Sequence, residues 1–256
     1  MLKNLISLVI RKVPRPLLQR VSHHGLRFLA LFYSGDKVSC PVCQSQFSKF
    51  LPYGRKARNN ALCPKCLALE RHRLMWLYLK QKTPFFSKPL KVLHIAPELC
   101  FIDRFEAQQN LDYITADIES PLAKVKMDIH DIPFEEATFD VVFCNHVLEH
   151  VKDDHRAMQE MYRVLKPGGW GIMQIPLFHP LPETTYEDAS ITNPAEREKA
   201  FGQNDHVRLY GKDYPERLRK AGFQVTEEWL TTELAKEEVE RFALPTDEPI
   251  YRVDKV

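Results

Sequence analysis

The 256-residue chain carries 36 Lys and Arg against 34 Asp and Glu, so its formal net charge at pH 7 is only +2. That balance offers no global attraction for phosphate backbones or anionic membranes, and any such partner must be met locally. With 44% hydrophobic and 11% aromatic residues the chain can bury one good core and hold a small second unit, which excludes disorder as the default.

A local basic excess stands at the start. Lys3, Arg11, Lys12, Arg15, Arg20 and Arg27 occur with no acidic residue between Met1 and Gly35, while Leu2, Leu5, Ile6, Val9 and Val13 follow helical spacing. Residues 1–35 are therefore expected to form a basic amphipathic helical segment that packs on its own domain or a second subunit, or lies on a membrane surface. Its uncharged runs, 4–10 and 28–35, are far shorter than the ~20 residues of a spanning helix, and no small-residue cleavage site follows a continuous apolar stretch. The expected location is the cytoplasm, with peripheral contact at the inner membrane surface as the membrane role open to it.

Residues 36–87 contain Cys40-Pro-Val-Cys43 and Cys63-Pro-Lys-Cys66. Two such knuckles at this separation aim four thiolates at one tetrahedral ion, the pattern of a zinc-ribbon-like module; disulfides are the competing reading, disfavoured in a reducing compartment. Four thiolates leave no open coordination position, so the expected zinc is structural. Cys100 and Cys144 lie outside the pattern and are expected to be buried thiols. Arg55, Lys56 and Arg58 make the loop between the knuckles basic, a feature that can grip RNA or DNA. Glu70-Arg71-His72-Arg73 then opens an apolar run expected to be a helix ending before Thr83-Pro84, with Arg71, His72 and Arg73 turned toward the following domain.

Over residues 88–256 short apolar runs alternate with helical patterns, the sign of a parallel sheet flanked by helices. A first strand is expected over Val92 to Ile95, a helix over Glu98 to Gln109, and a second strand from Leu111 that ends at Asp117. Phe139 to Asn145 is continuously apolar, as a strand buried on both faces should be. Asp153 and Asp154 open a helix with Met158, Met161 and Leu165 on one side, expected to stop at Lys166-Pro167-Gly168-Gly169 before a strand from Trp170 to Ile175.

Four segments occur in register: Asp128-Ile129-His130-Asp131-Ile132-Pro133-Phe134, Thr138-Phe139-Asp140-Val141-Val142, Val147-Leu148-Glu149-His150-Val151 and Arg163-Val164-Leu165-Lys166-Pro167-Gly168-Gly169. In this order and spacing they resemble the motifs of class I S-adenosylmethionine-dependent methyltransferases, and the cysteine segment resembles that of a bacterial subgroup of these enzymes. The resemblance implies a Rossmann-like α/β fold with a seven-stranded, mainly parallel sheet, for which Pro249 to Val253 is the candidate antiparallel strand. It also implies S-adenosylmethionine as cofactor. Asp117, at the end of the second strand, is placed to accept from both ribose hydroxyls, with Ile118 beside it. Asp128 resembles the acceptor of the adenine amine, with Ile129 packing on the ring; Asn145 and His146 border the crevice where open parallel sheets bind ligands. The first loop departs from the family: His94-Ile95-Ala96-Pro97-Glu98 stands where an acidic residue and a glycine-rich turn are expected. His94, Ala96 and Glu98 are carried as cofactor residues, with Glu98 as a substitute partner for the cofactor's ammonium.

The segment from Pro176 to Asp205 is long and acidic and reads as a lid. Just beyond it, His206 is the expected general base, oriented by Asp205 or Tyr210, with His146 as its rival. The expected activity is methyl transfer to oxygen or nitrogen of a small molecule or surface-glycan precursor. The alternatives are an RNA methyltransferase gripping through the ribbon, which the near-neutral charge disfavours, and a cofactor-binding scaffold without activity.

Overall fold

A computed structural model describes residues 30–54 and 57–256. The expected basic helix falls on residues outside this set except for its last positions, where Ala30–Tyr33 form a short 3-10 turn; Arg55 and Lys56 also lie outside it. Among the described residues no helix is long and apolar enough to cross a membrane. Contacts divide the chain into two compact units. The first takes in the described residues up to Pro84 with residues 99–103 and 231–247, and the second residues 85–98, 104–230 and 248–256. The expectation of one boundary near residue 87 did not foresee the two later segments that join the first unit.

In the first unit, β1 (Val38–Cys40) and β2 (Ser45–Phe47) form one antiparallel hairpin, and β3 (Leu51–Tyr53) and β4 (Arg58–Leu62) another. Each knuckle closes in the same way. The amide of Gln44 donates to the Cys40 carbonyl and that of Leu67 to the Cys63 carbonyl, at 2.8 and 2.9 Å, and both residues adopt left-handed φ, 55° and 63°. That turn swings the second cysteine of each pair back toward the first. Helix α1 (Glu70–Lys82) follows, with the His72 Nδ1 accepting from the Leu69 amide at its start and Thr83, in extended backbone, ending it. Its Arg73, expected to turn toward the following domain, is spent on carbonyls within this unit. The guanidinium is fully buried, lies 4.4 Å from the Phe50 ring centre, and donates to the carbonyls of Asn60, Ala61, Ala68, Phe242 and Ala243. One side chain thus ties β4 and the second knuckle to the segment around α7 (Lys236–Phe242).

The second unit is built on a seven-stranded sheet of β5 (Leu90–Ile95), β6 (Leu111–Asp117), β7 (Val125–Lys126), β8 (Phe139–Asn145), β9 (Leu165–Gln174), β12 (Gln224–Glu228) and β13 (Ile250–Asp254). Its order is β12-β13-β9-β8-β5-β6-β7. β13 runs antiparallel to both neighbours, while the central pairs are parallel. The fold is therefore a Rossmann-like α/β sheet, and the antiparallel strand lies where the sequence placed it. Val142, Cys144 and Met173 look toward helix α3 (Asp154–Val164), whose Ala157, Met158, Met161 and Val164 recur at helical spacing and are fully buried in the same core. Asp153 caps α3 by accepting from the Arg156 amide at 3.0 Å. α3 ends earlier than expected: from Leu165 the chain is already strand, and Leu165 pairs with Phe139. Its apolar side chain suits either period, and the sheet partner decides.

The acidic segment after β9 is not a structureless loop. It contains β10 (Tyr186–Glu187), which pairs with β11 (Arg208–Leu209), and helix α4 (Pro194–Phe201), capped by Asn193 and ended by left-handed Gly202.

Candidate active site

The strand order reverses at β5, which has β6 on one side and β8 on the other; the crevice at the carboxyl ends of these strands is where such sheets bind ligands. Asp117 closes β6 there. Its Oδ1 accepts from the amides of Glu119 and Ser120, both at 2.7 Å, which fixes the carboxylate and leaves Oδ2 with no protein donor among the described residues. Ile118 beside it is 55% exposed. Ala96, directly after β5, has φ 50° and donates its amide to the Ala116 carbonyl at 2.8 Å. The backbone thus takes a glycine-like conformation without a glycine, at a cost of about 1–2 kcal/mol.

The altered first loop has an internal explanation. The Glu98 carboxylate is held by His94 Nε2 at 2.6 Å and by Asn145 Nδ2 at 3.1 Å, while His94 Nδ1 lies 2.7 Å from the Tyr113 hydroxyl. The expected offer of Glu98 to a cofactor ammonium competes with these bonds, and Asn145 turns to Glu98. Asp128 is half exposed; its Oδ1 takes the His130 amide and ring, and the amide bond together with the ring holds its pKa below the ordinary carboxylate value. Ile129 is buried in the sheet core.

The turn after β8 carries His146, Glu149 and His150. His146 has φ 55° and a partly exposed ring. Glu149 is 2% exposed; its Oε1 lies 3.6 Å from His146 Nδ1 and 3.8 Å from His150 Nε2. Burial raises its pKa, but the contact with His146 and the charges of His146 and His150 outweigh it and hold the carboxyl below its ordinary value. The loop at 201–207 closes over this turn: the Val207 amide donates to the Glu149 carbonyl at 2.9 Å, and the guanidinium of Arg208, 2% exposed, donates to the carbonyls of Leu148, Val151 and Lys152.

His206 comes to this turn, yet not as foreseen. It is fully buried, its Nδ1 donates to the Phe201 carbonyl at 3.1 Å, and burial holds its pKa below the ordinary imidazole value. Neither expected orienting group touches it. The Asp205 carboxylate reaches His150 Nδ1 at 3.6 Å, and the Tyr210 hydroxyl donates to Asp154 Oδ2 at 2.8 Å. Asp154 also takes two nitrogens of Arg217 and forms the buried polar centre beneath the turn. Glu149 is the residue to which sequence reasoning gave no role. A glutamate between histidines in an otherwise apolar segment was the available signal.

In the first unit the four cysteine thiols converge. Cys40 and Cys66 Sγ are 3.6 Å apart and Cys43 and Cys63 Sγ 3.7 Å, too far for disulfides. An ion about 2.3 Å from four tetrahedral sulfurs spaces them about 3.8 Å apart, so the cluster fits a metal ion. Shared hydrogen bonds pull the Cys43 thiol down and push Cys40 and Cys66 up, since four neighbouring thiolates cannot coexist without a cation. Cys100 and Cys144 are buried, and burial pushes the Cys144 thiol up.

Residues 93–173, spanning β5 to β9 and the turns just described, match the family model of a methyltransferase domain. Over this stretch the chain is similar to a methyltransferase domain. The 27-O-demethylrifamycin SV methyltransferase of Amycolatopsis mediterranei is 28% identical to it over 109 residues, 43% of this chain and 38% of that protein. The cycloartenol-C-24-methyltransferase of Arabidopsis thaliana is 33% identical over 129 residues, 48% of this chain and 35% of its own length. The chain thus spans well under half of these relatives. A solved S-adenosylmethionine-dependent methyltransferase from Mesorhizobium loti is similar at 14% identity and a TM-score of 0.46, covering 70% of this chain and 96% of that one.

Proposed function

We propose that this chain is an S-adenosylmethionine-dependent methyltransferase acting on oxygen or nitrogen of a small molecule or surface-glycan precursor. Asp117 carries the cofactor reading. Its Oδ1 is spent on the turn at Glu119 and Ser120, so the carboxylate is oriented, while Oδ2 stays available to a ribose diol at the crevice. Ile118 offers an apolar surface beside it, and left-handed Ala96 holds the first loop in the turn conformation that the usual glycine would take.

The bound cofactor supplies a sulfonium methyl already activated for transfer. The protein's tasks are then to align the acceptor and to take its proton where it is a neutral hydroxyl. We assign the base to His146, at the carboxyl end of β8 with a partly exposed ring and Glu149 behind its Nδ1. Buried His206, with Nδ1 committed to Phe201, suits that role poorly. The match to a C-24 methyltransferase favours a carbon acceptor as second reading. A net charge of +2 favours either over nucleic acid. For the cysteine cluster we infer one structural zinc ion, the borderline-soft metal that tetrathiolate sets hold.

Titration calorimetry of the full chain with S-adenosylhomocysteine tests the cofactor reading. Saturable binding at one site per chain is expected, and no binding to folded protein refutes it. A metabolite screen with labelled methyl donor, followed by fragmentation of the product, then separates oxygen, nitrogen and carbon acceptors.

A further inference from the structure

Glu149, His150 and His206 stand out because they form a second group of ligand-type side chains, remote in sequence from the cysteines and unexplained by packing. One ligand atom from each lies within 4.8 Å of the others. Glu149 is 2% exposed and His206 fully buried, yet Glu149 Oε2 and His206 Nε2 have no protein hydrogen-bond partner among the described residues. Leaving such atoms bare is costly, and buried polar groups are normally paired.

The second nitrogen of each histidine is already occupied in the manner of a metal ligand. His206 Nδ1 donates to the Phe201 carbonyl at 3.1 Å, which puts the lone pair on Nε2. His150 Nδ1 faces Asp205, 3.3 Å from its carbonyl and 3.6 Å from its carboxylate, and its Nε2 points to Glu149 at 3.8 Å. Metal-ligating imidazoles are commonly oriented by a carbonyl or carboxylate on the far nitrogen in this way. The two rings stand edge to face with centroids 4.8 Å apart, so they approach one point from different directions.

We propose that Glu149, His150 and His206 bind a divalent first-row transition metal ion, separate from the ion of the cysteine cluster. Two imidazoles and one carboxylate are a donor set for zinc or iron(II) and not for calcium or magnesium. Ligands about 2.1 Å from such an ion sit about 3 to 4 Å from one another, and rotation of His150, the partly exposed member, closes the remaining difference. Three protein ligands leave coordination positions open, as in metal centres that take a further oxygen ligand. The site does not depend on the cofactor reading, and its test does not measure methyl transfer.

The test uses full-length protein, stripped with a chelator and titrated with zinc, with bound metal counted by mass spectrometry and cobalt(II) as a spectroscopic probe. Glu149→Gln and His206→Gln are expected to lose one equivalent that wild type retains, while the cysteine-held equivalent stays. Cys63→Ser should show the opposite loss. His150→Ala should weaken the site more than the roughly 10- to 100-fold that an outer partner is worth, with the fold intact by circular dichroism. Cobalt bound in the Cys63→Ser background should show ligand-field bands without thiolate charge transfer. Equal metal content in wild type, Glu149→Gln and His150→Ala overturns the proposal; should His206→Gln fail to fold, His150→Ala decides alone, since its side chain is 37% exposed.

Discussion

Replacing Asp117 by asparagine separates its two jobs. In the native turn Oδ1 accepts from the Glu119 and Ser120 amides at 2.7 Å, and an asparagine carbonyl oxygen can do the same. The other position becomes an NH2 group, which cannot accept from a ribose hydroxyl. A hydrogen bond to a charged acceptor contributes about 1.5–3 kcal/mol, which corresponds to about a 10- to 150-fold rise in Kd. Calorimetry with S-adenosylhomocysteine should show that rise for Asp117→Asn, while the thermal midpoint of ligand-free protein stays close to wild type. Asp117→Ala loses both functions, so its affinity should fall at least as far and its midpoint should drop as well. If Asp117→Asn binds as tightly as wild type, the carboxylate does not meet the ribose and the cofactor reading of the crevice loses its main support.

Cys63→Ser should release the ion of the cysteine cluster and unfold the ribbon, because structural zinc contributes on the order of 10 kcal/mol; metal analysis and limited proteolysis check it. Arg73→Lys keeps the charge but cannot serve the five carbonyls the fork now satisfies, and a loss above about 3 kcal/mol in denaturant unfolding is expected. Burial opposes ionisation of Asp154, but Arg217, Arg208 and Tyr210 overcome it, so its folded pKa lies below the unfolded value of about 3.9. Its contribution is therefore complete above that value and fades as pH falls through the folded pKa; Asp154→Asn should flatten the stability profile below about pH 5, and an unchanged acid slope would refute the assignment. His146→Ala should lower turnover by about 10² to 10⁴ with cofactor affinity retained, and a loss below about fivefold would reject it as base.

Legibility followed the range of the interactions involved. The two knuckles could be read because cysteine spacing within each is local and thiol chemistry leaves few alternatives. The parallel sheet flanked by helices was legible because strands and helices alternate with distinct periods, whereas the order of its strands was not. The end of α3 was not, since Leu165 fits both a helical stripe and a strand, and pairing with Phe139 decides. The partners of Glu98 were not legible for a related reason: His94 and Asn145 come from two strands that meet only in the sheet.

By itself the sequence determined the α/β class, the convergence of four cysteines and the position of Asp117 at a strand end, because each rests on local periodicity, motif spacing or thiol chemistry. The tertiary structure alone decided which charges are buried and what they touch. Arg73 reads as one cation in a basic run, and only the packed unit shows its five carbonyls. Glu149 and His206, 57 positions apart, meet because Val207 pairs with the Glu149 backbone and Arg208 fastens the same turn. Burial and pairing across such distances depend on where the chain returns in space, which no local pattern encodes.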